Sequence, residues 1–266
     1  VTVGAIGSGN EIAAVTIAGR DGITLKGNIT LSNKAGSDLD IDGAVTIDGS
    51  VTIDTDNESA DRGSGATEND GDINFSSTIN GNSAANSVDN LTIEAGDTTG
   101  AGSPTLTLSG AIGGSSPLDT LSINASTSTM AFSVPQIGSG TAAGAGSSTA
   151  SVSIGNANSG DITFSTTNSA GNGSISYIFG GNTTITSGGG ADGFKIGAGD
   201  TTFKNTGSTK SISFATGGFT LGNDADLKIE TNNGAISVGD IIGTAGGSAT
   251  DVILDAGTST TSIGAV

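Results

Sequence analysis

Short alternating segments of apolar, polar and apolar residues return along the whole chain, each ended by Gly, Asn, Asp or Ser. Val15-Thr16-Ile17, Ile23-Thr24-Leu25, Ile29-Thr30-Leu31, Leu39-Asp40-Ile41, Val45-Thr46-Ile47 and Val51-Thr52-Ile53 open the series. Leu91-Thr92-Ile93, Leu121-Ser122-Ile123, Val152-Ser153-Ile154, Phe194-Lys195-Ile196, Ile212-Ser213-Phe214 and Ile236-Ser237-Val238 continue it. A period of two puts both apolar residues on one face of a strand and the polar one on the other. Gly, Asn and Asp at the ends permit sharp turns, including positive φ. No window keeps a 3.6-residue period, so no helix of useful length is expected.

A three-residue strand cannot hold itself up. Successive segments begin only about 6–11 residues apart, a spacing that repeat solenoids use. Stacking each coil on the next at about 4.8 Å pairs every backbone group along the axis and lines the apolar residues into internal columns. Coils of roughly 20–30 residues predict about 9–13 rungs and a rod on the order of 45–60 Å long. The segment Gly71-Asp72-Ile73-Asn74-Phe75-Ser76 matches Gly160-Asp161-Ile162-Thr163-Phe164-Ser165 at five of six positions, and Leu91 to Gly96 resembles Val252 to Gly257. Two stretches break the pattern, Asp54 to Gly71 and Gly138 to Ser151. Both read as loops bulging from one solenoid over residues 1–266, not as linkers between domains.

Composition agrees with a long, narrow interior. Gly supplies 46 residues, aromatic residues are 3%, and there is no Trp. A spherical core of this size normally relies on large apolar and aromatic side chains. The same composition suits a disordered chain, but disorder does not require alternation to be kept from end to end.

The runs Gly71 to Phe75, Leu91 to Gly96, Leu106 to Gly114 and Pro117 to Ala125 resemble the β-strand repeats of large bacterial exoproteins, the filamentous-haemagglutinin-like adhesins and autotransporter passenger regions. The likeness is strongest over about residues 40–135. It implies a right-handed parallel β-helix (a β-solenoid with irregular loops), export across the outer membrane, an extracellular or cell-surface location, and an adhesive or scaffolding role. Neither the secretion domain nor the membrane barrel of that family is visible in the sequence.

Chemistry-bearing residues are sparse. The chain has no Cys and no His, which removes disulfides, thiolate zinc sites and every mechanism that needs an imidazole. Its eight Lys and Arg stand against 26 Asp and Glu, a net charge of -18. Such a surface repels nucleic acid and anionic lipid and can attract divalent cations. No stretch approaches the roughly 20 apolar residues that span a bilayer, and Val1-Thr2-Val3-Gly4 is not a signal peptide. Polysaccharide-acting β-helix enzymes need convergent carboxylates beside Lys or Arg in a groove. Asp38, Asp40 and Asp42 alternate on one strand face, but the cations are scattered, so a solvated outer face is expected and no catalytic residue is assigned.

Calcium is the other chemical reading. Gly188-Gly189-Gly190-Ala191-Asp192-Gly193-Phe194 partly fits the glycine-aspartate nonapeptide of calcium-binding β-rolls, and the next nine residues keep Gly197 and Gly199 with Asp200 shifted by one. Gly188, Gly190, Asp192 and Asp200 are therefore the candidate calcium residues, with Asp54, Asp56, Glu58 and Asp61 a weaker set. No other cofactor and no small-molecule substrate is expected. Val1-Thr2-Val3 and Thr261 to Val266 look like ordinary rungs rather than caps. The expected partners are thus a second copy stacked end to end or other surface components, the segment forming part of a longer rod or fibre.

Overall fold

The computed structural model describes residues 1–7, 12–32, 36–57, 71–82, 88–95, 105–125, 132–134, 137, 151–154, 162–164, 174–187, 193–197, 199–243 and 250–264. These form a parallel β-solenoid, with strands and no helix among the described residues. Every strand pairing is parallel, and each strand pairs with the equivalent strand one coil away.

Three faces wrap the core. The first is a nine-stranded sheet that starts with Val15–Ala18, Leu39–Asp42 and Ile73–Phe75 and ends with Phe219–Leu221 and Ile241–Gly243. The second is a four-stranded sheet ending at Ile79–Gly81 and another running from Ser174–Phe179 to Val252–Asp255. Single bridges through Ile79, Ile112, Ile137 and Tyr177 join the two. The third is a nine-stranded sheet from Ile29–Ser32 to Thr261–Ile263. The chain visits the faces in that order and climbs one strand per circuit.

The alternation sets the core. In Ile23–Leu25, Val45–Ile47 and Leu106–Leu108 both outer residues are buried and the middle one is not. On the third face one inward position is held by Ile29, Ile53, Ile93, Ile123, Ile154 and Ile185 in successive coils, then by Phe214. Each of the six isoleucines is at most 1% exposed. Full burial of one such side chain contributes roughly 1.5–3 kcal/mol. β-branched side chains suit this arrangement, because a stiff χ1 lets like stack on like down the axis.

Aromatic residues concentrate in the later coils. Phe194 and Phe219 come from the first face, Phe203 from the second and Phe214 from the third. Their ring centroids lie 4.7 to 6.3 Å apart, and Tyr177 stacks on Phe203 at 4.9 Å. Three faces therefore meet on one aromatic cluster, and such pairs add about 0.5–1.5 kcal/mol each beyond area burial.

Close coil contact also fixes the corners. Gly43 has φ +138°, and a Cβ there would run into the carbonyl oxygen of Gly19 one coil below. Only glycine meets both demands.

Most coils take the expected length of roughly 20–30 residues, but several are longer. Stacked partners are 24 residues apart at Asn28 and Thr52, but 34 at Asp40 and Asn74 and 40 at Ser50 and Asn90. Among the described residues nine strands stack on each long face, the lower bound of the roughly 9–13 rungs expected, and rise roughly 40 Å. The expected loop from Asp54 begins later, because Ser50–Asn57 is one strand and Thr55 is buried in it. Residues 58–70 and 138–150 lie outside the described residues, while Ser151 opens the strand Ser151–Ile154. Of the two sequence echoes, Ile73–Phe75 and Ile162–Phe164 share the first face; Asn90–Ala95 and Val252–Asp255 lie on different faces.

If the columns carry the stability, Ile93→Ala will destabilise the fold by about 2–5 kcal/mol, and Thr92→Ala, one residue away and facing out, by no more than about 0.5 kcal/mol. Urea denaturation followed by circular dichroism reads both.

Candidate functional site

The polar chemistry of this solenoid gathers at its corners and on its outward strand positions. Asp38, Asp40 and Asp42 lie together on the outer side of the first face, with Leu39 and Ile41 buried between them. Each is engaged with the coil above. Asp38 Oδ1 accepts the Asp72 N–H at 3.0 Å, Asp40 Oδ1 accepts the Asn74 amide at 3.3 Å, and Asp42 Oδ1 accepts the Ser76 hydroxyl at 2.8 Å. The trio thus shares a face as the alternation predicts, and its oxygens hold coils together.

The Asp38 bond belongs to a repeated device. Asp72 Oδ1 accepts the Thr105 N–H at 2.7 Å, Asn28 Oδ1 that of Thr52 at 2.9 Å, Asn182 Oδ1 that of Ser211 at 3.1 Å, and Asp226 Oδ1 that of Asp251 at 2.8 Å. At each of these five corners an Asp or Asn side chain satisfies a backbone donor of the next coil. A donor left unsatisfied there would cost about 1–3 kcal/mol. Asp89 is the most enclosed of these carboxylates at 3% exposure; its Oδ1 accepts the Gly49 N–H, and its own N–H donates to Asp119 Oδ2 at 2.8 Å.

Of the calcium candidates, Gly188, Gly190 and Asp192 lie outside the described residues, as do Glu58 and Asp61 of the weaker set. Asp200 opens the strand Asp200–Ser208 and is exposed. The register stacks it with Asp226 and Asp251, since Thr201, Leu227 and Val252 are partners in successive coils. These carboxylates border a groove of about 220 Å³ on the second face, which Thr202 and Lys228 also line. Among the described residues no group of three or more Asp and Glu is placed to hold a metal ion. One coil height of roughly 4.8 Å separates stacked corners, and Asp226 already spends one oxygen on a backbone donor.

Two charge clusters escaped the sequence reading. Glu230 bonds Lys204 at 2.9 Å, one coil away, and Lys228 at 3.0 Å, two residues away on the same strand face. Hydrogen bonds from Lys204 and then Lys228 hold its carboxyl below the usual glutamate range, against a smaller opposing push from burial. Lys26 pairs with Asp48, whose carboxyl is held down by hydrogen bonds from Lys26 and Asn82. The outward alternation of Lys228 and Glu230 was visible; their partner Lys204 depends on a coil of 26 residues, which the strand pattern does not give.

Among the described residues no helix is long and apolar enough to cross a membrane. Comparison with protein-family models, with curated proteins and with solved structures gave no match.

Because the folded carboxyl of Glu230 is depressed, its contribution is complete above the unfolded glutamate value and is lost as pH falls through the folded one. Glu230→Gln is expected to cost roughly 0.2–1 kcal/mol at neutral pH, and the gap from the parent to close only as pH falls below the ordinary glutamate range. Thermal melts of both proteins between pH 3 and 7 check this.

Proposed function

We propose that this chain is a structural or adhesive rod of the cell surface or extracellular space, acting through its length and outer faces rather than by catalysis. The observation that carries the reading is the stack of parallel coils among the described residues whose Asp and Asn side chains are turned to coil-to-coil bonding. A scaffold that keeps its shape by such bonds suits a load-bearing or display role. The likeness of residues 40–135 to haemagglutinin-like adhesin repeats points the same way.

The inward columns continue into the last described coil. Val252, in line with buried Leu227, is 37% exposed, and Ile263, in line with Val238, is 43% exposed. Val1 at the other end is 64% exposed. A further coil laid on either end would bury these side chains and pair the open strand edge. We propose that a second copy supplies that coil, so that rods associate end to end through these open strand edges.

Sedimentation velocity over a concentration series, with electron microscopy of the same samples, tests this. The expected result is a sedimentation coefficient that rises with concentration and rods of several lengths, both suppressed by Ile263→Asp. A concentration-independent monomer seen as particles of a single length would overturn it.

A further inference from the structure

Two Asn-Gly pairs lie among the described residues, Asn80-Gly81 and Asn233-Gly234, and the fold treats them differently. Asn233 is exposed and left-handed, with φ +59°, in the corner between Leu227–Asn232 and Ile236–Val238. Its Oδ1 accepts two hydrogen bonds from one residue of the next coil, the Thr258 N–H at 3.0 Å and the Thr258 hydroxyl at 2.9 Å. Two donors aimed at one carbonyl oxygen draw electrons from the attached carbon and stabilise negative charge on the oxygen when a nucleophile adds.

The nucleophile next in the chain is the backbone nitrogen of Gly234. Gly234 is buried, yet its N–H donates to no described residue. Losing that proton therefore forfeits no hydrogen bond to a described residue, whereas a committed donor would have to give one up. Asn80 has a similar polarised oxygen, with Ser115 and Ser116 N–H groups at 2.9 and 3.4 Å. Its neighbour is different: the Gly81 N–H is committed to the Ser116 carbonyl at 2.9 Å, inside the strand Ile79–Gly81.

We propose that Asn233 is a site of spontaneous deamidation in the folded protein, and that Asn80 is protected from it. The Gly234 nitrogen gives its proton to a solvent base and attacks Asn233 Cγ. The new C–N bond closes a five-membered succinimide; the Cγ–Nδ2 bond breaks, and Nδ2 leaves as ammonia with a proton taken from solvent. Water then adds to either ring carbonyl and opens the ring to aspartate or isoaspartate, with no change of oxidation state. Either product adds a negative charge to this corner. Isoaspartate also inserts a backbone carbon between two strands and moves the oxygen that ties this coil to Thr258, so the modification loosens the junction between the last two described coils.

The test is peptide mapping by mass spectrometry after incubation in warm, mildly alkaline buffer, with the folded protein and the urea-unfolded chain side by side. The unfolded chain calibrates the intrinsic rate at each Asn-Gly pair. In the folded protein Asn233 is expected to convert near its unfolded rate, and Asn80 to be slowed on the order of tenfold or more. Asn233→Gln, whose ring closure is strained and slow, is expected to abolish the conversion at this corner. Folded-state protection of Asn233 as strong as that of Asn80 would overturn the proposal.

Discussion

Hydrogen bonding between coils is the constraint from which the rest of this structure follows. A strand such as Ile23–Leu25 has no partner within its own circuit, and all of its ladder bonds run to Thr2–Val3 below and Val45–Ile47 above. The coils must therefore stay in register along the axis, and that register decides which side chains stack. Where the inward residue is isoleucine in six successive coils, hydrogen bonding and apolar packing favour the same alignment, and a one-residue slip would turn every side chain to the wrong face.

The acidic, asparagine-rich composition becomes intelligible at the corners. The strands satisfy their own backbone, and so do many turn donors, but some N–H groups at the turns between faces would otherwise be stranded against the next coil. Asp38, Asp72, Asn28, Asn182 and Asp226 supply acceptors at those points. Asp and Asn serve the same role interchangeably, and Asp38, Asp72 and Asp226 are accounted for by these coil-to-coil bonds. The charge keeps the outer surface hydrated, and Lys204 with Lys228 neutralises it locally at Glu230.

Much of the architecture was legible in the alternation. The triplets fall where strands form, and the inward pair and outward polar residue are as the period of two requires. The common face of Asp38, Asp40 and Asp42 follows from the same rule. Coil length was not legible, because circuits vary from 22 to 40 residues and nothing local records how far the chain travels before it returns. That is why the likeness of Leu91–Gly96 to Val252–Gly257 misled, while Gly71–Ser76 and Gly160–Ser165 did not. The strand Asp200–Ser208 was hidden for another reason. Its inward positions include Thr201 and Asn205, polar residues that read as outward until the burial of both, and the bond from Asn205 Nδ2 to the Gly181 carbonyl at 2.6 Å, are seen. The gathering of Phe194, Phe203, Phe214 and Phe219 from three faces likewise depends on register alone.

The central claim, that coils stack in parallel with the register Thr52, Thr92, Ser122, Ser153, Thr184, Ser213, Ser237, Ser262, makes distance depend on coil number and not on sequence separation. The chain has no native cysteine to interfere with labelling. Pulsed electron-electron resonance on spin labels placed in pairs at Thr92 and Ser213, and at Thr52 and Ser262, measures it directly. Four coil steps predict a backbone separation of roughly 20 Å for the first pair and seven steps roughly 34 Å for the second, each broadened by the label arms. Equal separations for the two pairs, or a second pair closer than the first, would contradict the stack.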